Sequence, residues 1–327
     1  MNILLVGNVT LPAHKYGAIE RIMWWLGKEY VKMGHHVSFL VHQGSVCPFG
    51  TVIFRQPELK IEDQIPDEID VVHFQYPITG FNKKPHIATI HGNSPRDTKF
   101  SINSVFVSAD HASRYGAEAY VYNGIDADDY GAPNLEARRE YFHFLGKAAW
   151  RIKNVRGAIN IATAAREKLL VLGGTRLNFK MGFRFTPNLN VSFKGMVGGE
   201  EKNALLSGSK GLIFPVRWHE PFGIAMIESL YFGCPVFGTP YGALPELITK
   251  EVGVLSNRKS VLVEAVKNVD AFNRKACYEY VCDNFLASKM AADYIEMYAR
   301  VINGESLNKN VPSLVADGPK FLEFIND

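Results

Sequence analysis

Two parallel α/β domains in tandem are the architecture this sequence predicts, on three observations. The chain has 327 residues, more than one typical core holds and enough for two domains of roughly 100 to 200 residues each. Apolar residues make up 47% and charged residues 21%, a globular composition throughout. Short apolar runs alternate with helical stretches in two successive series, and a polar stretch lies between them.

The first series runs "NILLVG", a helix over Ile19 to Met33, "HVSFLVH", "TVIFR", "DVVHFQ", "HIATIHG", "SVFVS" and "AYVYNGI". Strands that are apolar on both faces and separated by helices or loops predict a buried parallel sheet wound in βαβ units, a Rossmann-like half. Its first helix keeps Ile19, Ile22, Met23, Leu26, Tyr30 and Met33 at helical spacing, with Gly34 as the stop signal. The stretch Asp126 to Arg139 carries Gly131, Pro133 and Asn134 and reads as a surface connection. The second series follows with "YFHFLGK", a helix near Val155 to Lys168, "LLVLGG", "NVSFKGMV", "EKNALLSGS", "KGLIFPV", a helix over Ile224 to Phe232, "PVFGT" and two more helices. The expected domains are therefore 1–135, 136–285, and a segment 286–327 whose helix packs back toward the first domain. If the two face one another, the carboxyl ends of both sheets line a cleft, where open α/β folds bind ligands.

A formal charge of +3 is too small to argue for nucleic acid. Residues 1–135 carry 11 Lys and Arg against 14 Asp and Glu, and the remainder 25 against 19, so an anionic ligand suits the second half better. Cys47, Cys234, Cys277 and Cys282 form no C-x-x-C pair and have no clustered histidines nearby, which argues against zinc and against a disulfide framework and fits a reducing, cytoplasmic setting. No segment approaches the ~18 apolar residues of a membrane span. A peripheral contact at the inner face of a membrane stays open through Trp24 and Trp25, which have the alternative of packing in the core.

The sharpest signal is "FPVRWHEPFGIAMIESLYFGCPVFGTPYGALPE". A strand ends at Phe214, and the turn Glu220-Pro221-Phe222-Gly223 opens a helix. Unpaired N–H groups at a helix start, at the positive end of its dipole, suit a diphosphate. Glu220 stands at the mouth of the helix and Glu228 about two turns along it, so the two acids can meet different parts of an extended ligand and accept hydrogen bonds from its vicinal hydroxyls. The loop in "FLGKAAWRIKN" places Lys147, Arg151 and Lys153 after a strand, where cations neutralise a diphosphate leaving group.

These motifs resemble the retaining GT-B glycosyltransferases, glycosyltransferase family 4, with Glu-x7-Glu inside a Pro-x4-Glu-x-Phe-Gly frame. The resemblance implies the GT-B fold. It gives Glu220 contact with the transferred sugar, Phe222, Gly223 and Ile224 backbone groups for donor sugar and phosphate, and Glu228 the ribose. Lys147 stands where relatives usually carry Arg, a point charge in place of a bidentate fork; phosphate contact is expected of Lys147 and Lys153, with Arg151 as a substitute. Gly173, Met196 and Val197 sit where relatives flank the base and ribose, and Lys202 lies near the following helix. In the first half, Gly17 of "NVTLPAHKYGAIER" occupies the place of the first of two family glycines, and Ala18 fills the second. The absence of G-x-G-x-x-G argues against a dehydrogenase. "DVVHFQYP" has Gln75 where the family has a second His, and His73 reads as a packed strand histidine. His91 in "ATIHGNSP" is the residue the resemblance places against the donor sugar.

The expected activity is metal-independent transfer, with retention, of a sugar from a UDP- or GDP-type nucleotide sugar to a glycan or glycolipid hydroxyl. The nucleotide sugar serves as substrate and no cofactor is needed. Two other readings stay open: a GT-B-fold sugar-nucleotide epimerase and a silent binding paralogue. Polysaccharide or lipopolysaccharide assembly is the setting that analogy suggests. Donor base, acceptor and oligomeric state are not legible.

Overall fold

A computed structural model gives the fold and describes residues 1–13, 17–179, 181 and 183–327. Met1–Asp126 and Leu286–Asp317 form one compact unit; Ala127–Phe285 and Gly318–Asp327 form a second.

In the first unit, β1 (Asn2–Val6), α1 (Ala18–Lys32), β2 (His36–Val41), β3 (Thr51–Phe54), β4 (Val71–Phe74), β5 (His86–Ile90), β6 (Ser104–Phe106) and α2 (Ala109–Arg114) follow in order. The sheet is wholly parallel, with strand order β3-β2-β1-β4-β5-β6. Ile3, Leu4, Leu5 and Val6 are all buried, as a parallel strand covered on both faces requires. α1 buries Ile22, Met23, Trp25, Leu26 and Tyr30 and ends before Gly34. Met33, counted into its apolar stripe, is exposed at the cap. Of the two tryptophans, Trp25 is buried in the core, whereas Trp24 is half-buried and packs edge-on against Phe49 at 4.8 Å.

The second unit repeats the plan with β7 (Tyr141–Leu145), α3 (Val155–Ala164), β8 (Leu169–Leu172), a short antiparallel ribbon of β9 (Leu177–Asn178) and β10 (Arg184–Phe185), β11 (Val191–Phe193), α4 (Gly199–Ser207), β12 (Ser209–Phe214), α5 (Ile224–Tyr231), β13 (Val236–Gly238), α6 (Leu244–Leu247), β14 (Gly253–Leu255), α7 (Lys259–Lys267) and α8 (Arg274–Asn284). Its main sheet is parallel in the order β11-β8-β7-β12-β13-β14, the same pattern as the first. β7 carries the buried His143, whose nitrogens bind Ser209 Oγ at 2.6 Å and Ser229 Oγ at 2.8 Å.

The last helix, α9 (Ala287–Ile302), belongs to the first unit. Its Tyr298 hydroxyl meets Tyr30 OH at 2.8 Å and His73 Nδ1 at 2.7 Å, and Tyr294 OH meets Thr89 Oγ1 at 2.8 Å. His73 Nε2 is satisfied by Thr89 at 2.7 Å, so this ring is a packed strand histidine.

Two boundaries differ from expectation. The chain divides at Asp126 rather than at residue 135, because residues 127–135 are fastened to the second unit. There Tyr130 OH donates to Glu228, Tyr231 OH to Gly131 O, Asn203 to Asp129 O, and Arg274 to Leu135 O. The segment 286–327 is split as well. Its final ten residues return to the second unit, held by Leu322 N–H to Arg217 O and Ile325 N–H to Asn257 O, each 2.8 Å.

Candidate active site

In the second unit the strand order reverses between β7 and β12, which run side by side. The loops leaving the carboxyl ends of two such strands diverge and frame the crevice where open α/β sheets bind ligands. Here the two loops are joined: Arg217 N–H donates to Ile152 O at 2.7 Å, and Asn154 Nδ2 donates to Pro215 O at 2.9 Å while its Oδ1 caps α3 through Gly157 N–H. That joining positions Lys153, from the first loop, against Glu220, from the second. Lys153 Nζ lies 2.5 Å from Glu220 Oε2, and Trp218 Nε1 donates to the same oxygen at 2.8 Å. The ammonium also sits 4.9 Å from the Trp218 ring and 5.3 Å from that of Phe214, a cation–π setting.

Glu220 is held by its backbone. It bridges Gly242, and Ala243 N–H donates to its carbonyl at 2.9 Å. Gly242 has φ +65, and a Cβ there would stand 2.3 Å from Glu220 N, so no other residue fits without moving the glutamate. After Phe222, which is buried, Gly223 caps α5 with φ 90 and no side-chain cap. The helix start at Ile224 thus presents backbone rather than a competing carboxylate or hydroxyl.

Further along α5, Glu228 is buried with Lys202 of α4, Nζ to Oε1 at 2.6 Å, and Tyr130 OH donates to the same oxygen at 2.5 Å. Lys202 also lies 4.9 Å from the Tyr130 ring. The other predicted residues sit around this frame. Gly173 has φ +126, and a Cβ would fall 2.1 Å from Gly146 O, which brings the turns after β7 and β8 together just before Lys147. Gly195 N–H donates to Gly174 O; next to it Met196 is exposed and Val197 buried. Lys147 Nζ lies 4.9 Å from the Trp150 ring. Arg151 is not brought to the glutamates: its guanidinium lies 5.1 Å from the Phe321 ring, in a separate cavity.

In the first unit Gly17 caps α1 in extended backbone, and His91 follows β5 directly. His91 Nε2 lies 2.9 Å from the Gln75 side-chain amide, and among the described residues its Nδ1 has no hydrogen-bond partner. Burial lowers the His91 pKa to about 4, which keeps the ring neutral. Gln75, out of pattern in the sequence, thus orients the ring.

Sequence reasoning missed Trp218 and Tyr130. Trp218 lies inside the quoted motif, two residues before Glu220, and could have been found there. Tyr130 fell in the stretch taken for a surface linker and left no signal.

Residues 139–278 match the family model described as glycosyl transferases group 1. A D-rhamnosyltransferase, WbpZ of Pseudomonas aeruginosa, is 24% identical over 71% of this chain and 76% of its own. A 41.2 kDa uncharacterized protein of the cps region of Klebsiella pneumoniae is 31% identical over 33% of this chain, and the match spans 32% of that protein's length. Among solved structures, the glycosyltransferase AviGT4 of avilamycin A biosynthesis superposes with a TM-score of 0.75 at 20% identity, covering 93% of this chain and 98% of the other. Sucrose-phosphate synthase of Thermosynechococcus elongatus superposes at 0.69 with 16% identity, over 93% of this chain and all of its own. The chain has the GT-B fold. In GT-B terms, the group 1 match covers most of the second unit and all of the Lys153–Glu220 and Lys202–Glu228 constellation.

Proposed function

We propose that the protein is a retaining glycosyltransferase of family 4 type, moving a sugar from a UDP- or GDP-type nucleotide sugar to the hydroxyl of a glycan or glycolipid. The observation that carries this is the pairing of each signature glutamate with a lysine at the switch point of the second sheet, beside a helix start with no side-chain cap. In the proposed reaction the bond from the anomeric carbon to the diphosphate oxygen breaks and its electron pair leaves with the phosphate. The acceptor oxygen bonds to the same face of that carbon, and the acceptor proton passes to the departing phosphate oxygen. Lys153 and Lys147 supply positive charge to that group, with the backbone at Gly223 and Ile224, so that no metal ion is required. Glu220 holds hydroxyls of the transferred sugar, and Trp218 fixes the carboxylate that does so. Glu228 holds the ribose, while the turns at Gly173 and at Met196–Val197 flank the nucleoside. His91 contributes a ring nitrogen or its neighbouring backbone carbonyl to contact with the donor sugar. The setting we propose is surface-polysaccharide or related glycoside assembly on the inner side of the membrane, in keeping with the glycosyltransferase names of WbpZ and AviGT4.

The test is a transfer assay in EDTA over a panel of UDP- and GDP-sugars, with the anomeric configuration of the product read by NMR. Expected are a product that keeps the donor's configuration and, for Glu220→Gln, a loss on the order of a hundredfold or more. Inversion, full activity of both Glu220→Gln and Lys153→Ala, or release of an epimerised free sugar nucleotide would each overturn the proposal.

A further inference from the structure

A cavity in the same unit, of about 360 Å³, is lined by Arg151, Arg156, Arg184 and Arg217, with Trp150, Phe183 and Phe321 among its walls. It includes neither glutamate of the transfer site nor Lys153 or Lys202. Among the described residues, none of its four guanidinium groups meets a carboxylate. Arg156 donates to Phe183 O, Arg184 to Thr175 O and Thr186 Oγ1, and Arg217 to Leu322 O; Arg151 and Arg217 lie 5.1 and 5.4 Å from the Phe321 ring. Four like charges around one hollow repel, and Arg184 shows it: burial and the neighbouring Arg156 charge both lower its pKa. An anion with several oxygens relieves this, and guanidinium forks match phosphate.

One wall of the cavity is the β9–β10 ribbon, whose pattern is inverted. Leu177, Phe179, Met181, Phe183 and Phe185 alternate with polar or small residues, a period that ordinarily turns the apolar set inward. Here Phe179 is 73% exposed, Met181 63%, Phe183 64% and Phe185 56%, while Arg184 and Thr186 are buried. Phe179 and Phe183 pack against each other, 5.8 Å between ring centroids, rather than into a core. Leu189, also in this segment, is 90% exposed. A cluster of exposed apolar side chains of this kind marks an interaction surface, and aromatic rings beside cations suit the boundary between acyl chains and anionic headgroups. Met181 and Phe183 belong to both the exposed face and the cavity wall.

We propose that this region is a membrane-docking site: the rings of the ribbon enter the interface, and the arginine cavity takes the phosphate of an anionic lipid headgroup. Nothing in it depends on the transfer reaction. The test measures co-sedimentation of the full chain with phosphatidylcholine vesicles and with vesicles of equal parts phosphatidylcholine and phosphatidylglycerol. Binding to the mixed vesicles and not to the neutral ones is expected. Phe179→Ser with Phe183→Ser, both exposed and so compatible with folding, is expected to abolish it. Arg156→Gln is expected to weaken it at least fivefold, roughly the contribution of one cation at an anionic surface, and Lys275→Gln, an exposed control on α8, to leave it near wild type. Equal binding to both vesicle types, no binding to either, wild-type binding by the double serine variant, or equal losses in Arg156→Gln and Lys275→Gln would overturn it. So would a rise in unfolding temperature with glycerol 3-phosphate in the absence of any vesicle binding, which would assign the cavity to a soluble phosphate.

Discussion

At the scale of single residues, the two lysine–glutamate pairs differ in what they can release. Lys202 and Glu228 are both buried, and a buried pair that loses one partner leaves an uncompensated charge. Lys202→Met is therefore expected to lower stability by about 3–5 kcal/mol in a denaturant titration. A loss below ~1 kcal/mol would mean that Glu228 finds another cation or takes up a proton. Lys153 retains 14% side-chain exposure and stands beside Glu220, so it can turn toward a phosphate while the Trp218 indole keeps the carboxylate in place. Trp218→Phe keeps ring bulk but removes that donor; it is expected to raise the KM for the donor or lower kcat without changing the unfolding midpoint by more than a few degrees. Glu220 and Glu228 were legible because their spacing is fixed along one helix, and Lys153 because its loop follows a strand; Lys202, on α4, was placed only by the family resemblance. Arg151 was legible only as a charge: the sequence counts three cations in a loop, and the 3-10 turn at Arg151–Lys153 decides that Lys153 meets Glu220 while Arg151 meets Phe321.

At the scale of elements, the helix start at Ile224 works because two glycines shape its surroundings. Gly242→Ala would push a methyl group into the Glu220 backbone and also strain φ +65. It is expected to cost activity more than stability, since the backbone of Glu220, proposed to contact the sugar, moves first. A Gly242→Ala protein with wild-type kcat/KM would show that the Glu220–Gly242 bridge has no part in positioning. Sheet direction and α1 followed from buried apolar runs with β-α alternation, a long-range pattern that sequence carries well. The β9–β10 ribbon did not, because its alternation points the apolar side outward, which periodicity alone cannot distinguish from a half-buried strand. The Asp126 division was missed for a related reason: polar, glycine-bearing residues 127–135 look like a linker, yet Tyr130 anchors them to Glu228.

At the scale of the molecule, acid sensitivity should be unequal between the two units. Burial lowers the pKa of His73 well below its ordinary value, that of His91 to about 4 and that of His111 to about 3 in the first unit; in the second, His143 falls to about 3. Between about pH 4 and the ordinary 6.5, the unfolded chain binds protons at these rings and the folded chain does not. Stability is therefore present above pH 6.5 and is lost as pH falls through this window, each ring adding up to ~1.4 kcal/mol per pH unit. Hydrogen exchange at pH 5 against pH 7 is expected to show greater loss of protection in β4, β5 and α2 than in β7; the reverse order would contradict the buried, neutral state of the first-unit rings. The central claim, a nucleotide-sugar site in the second unit that uses lysines for charge, is tested most directly by calorimetric titration of the purified chain with UDP and with GDP in EDTA. Saturable binding of one of them, weakened in Lys153→Ala, is the predicted result. Binding of neither, or binding that appears only when magnesium is added, would contradict it.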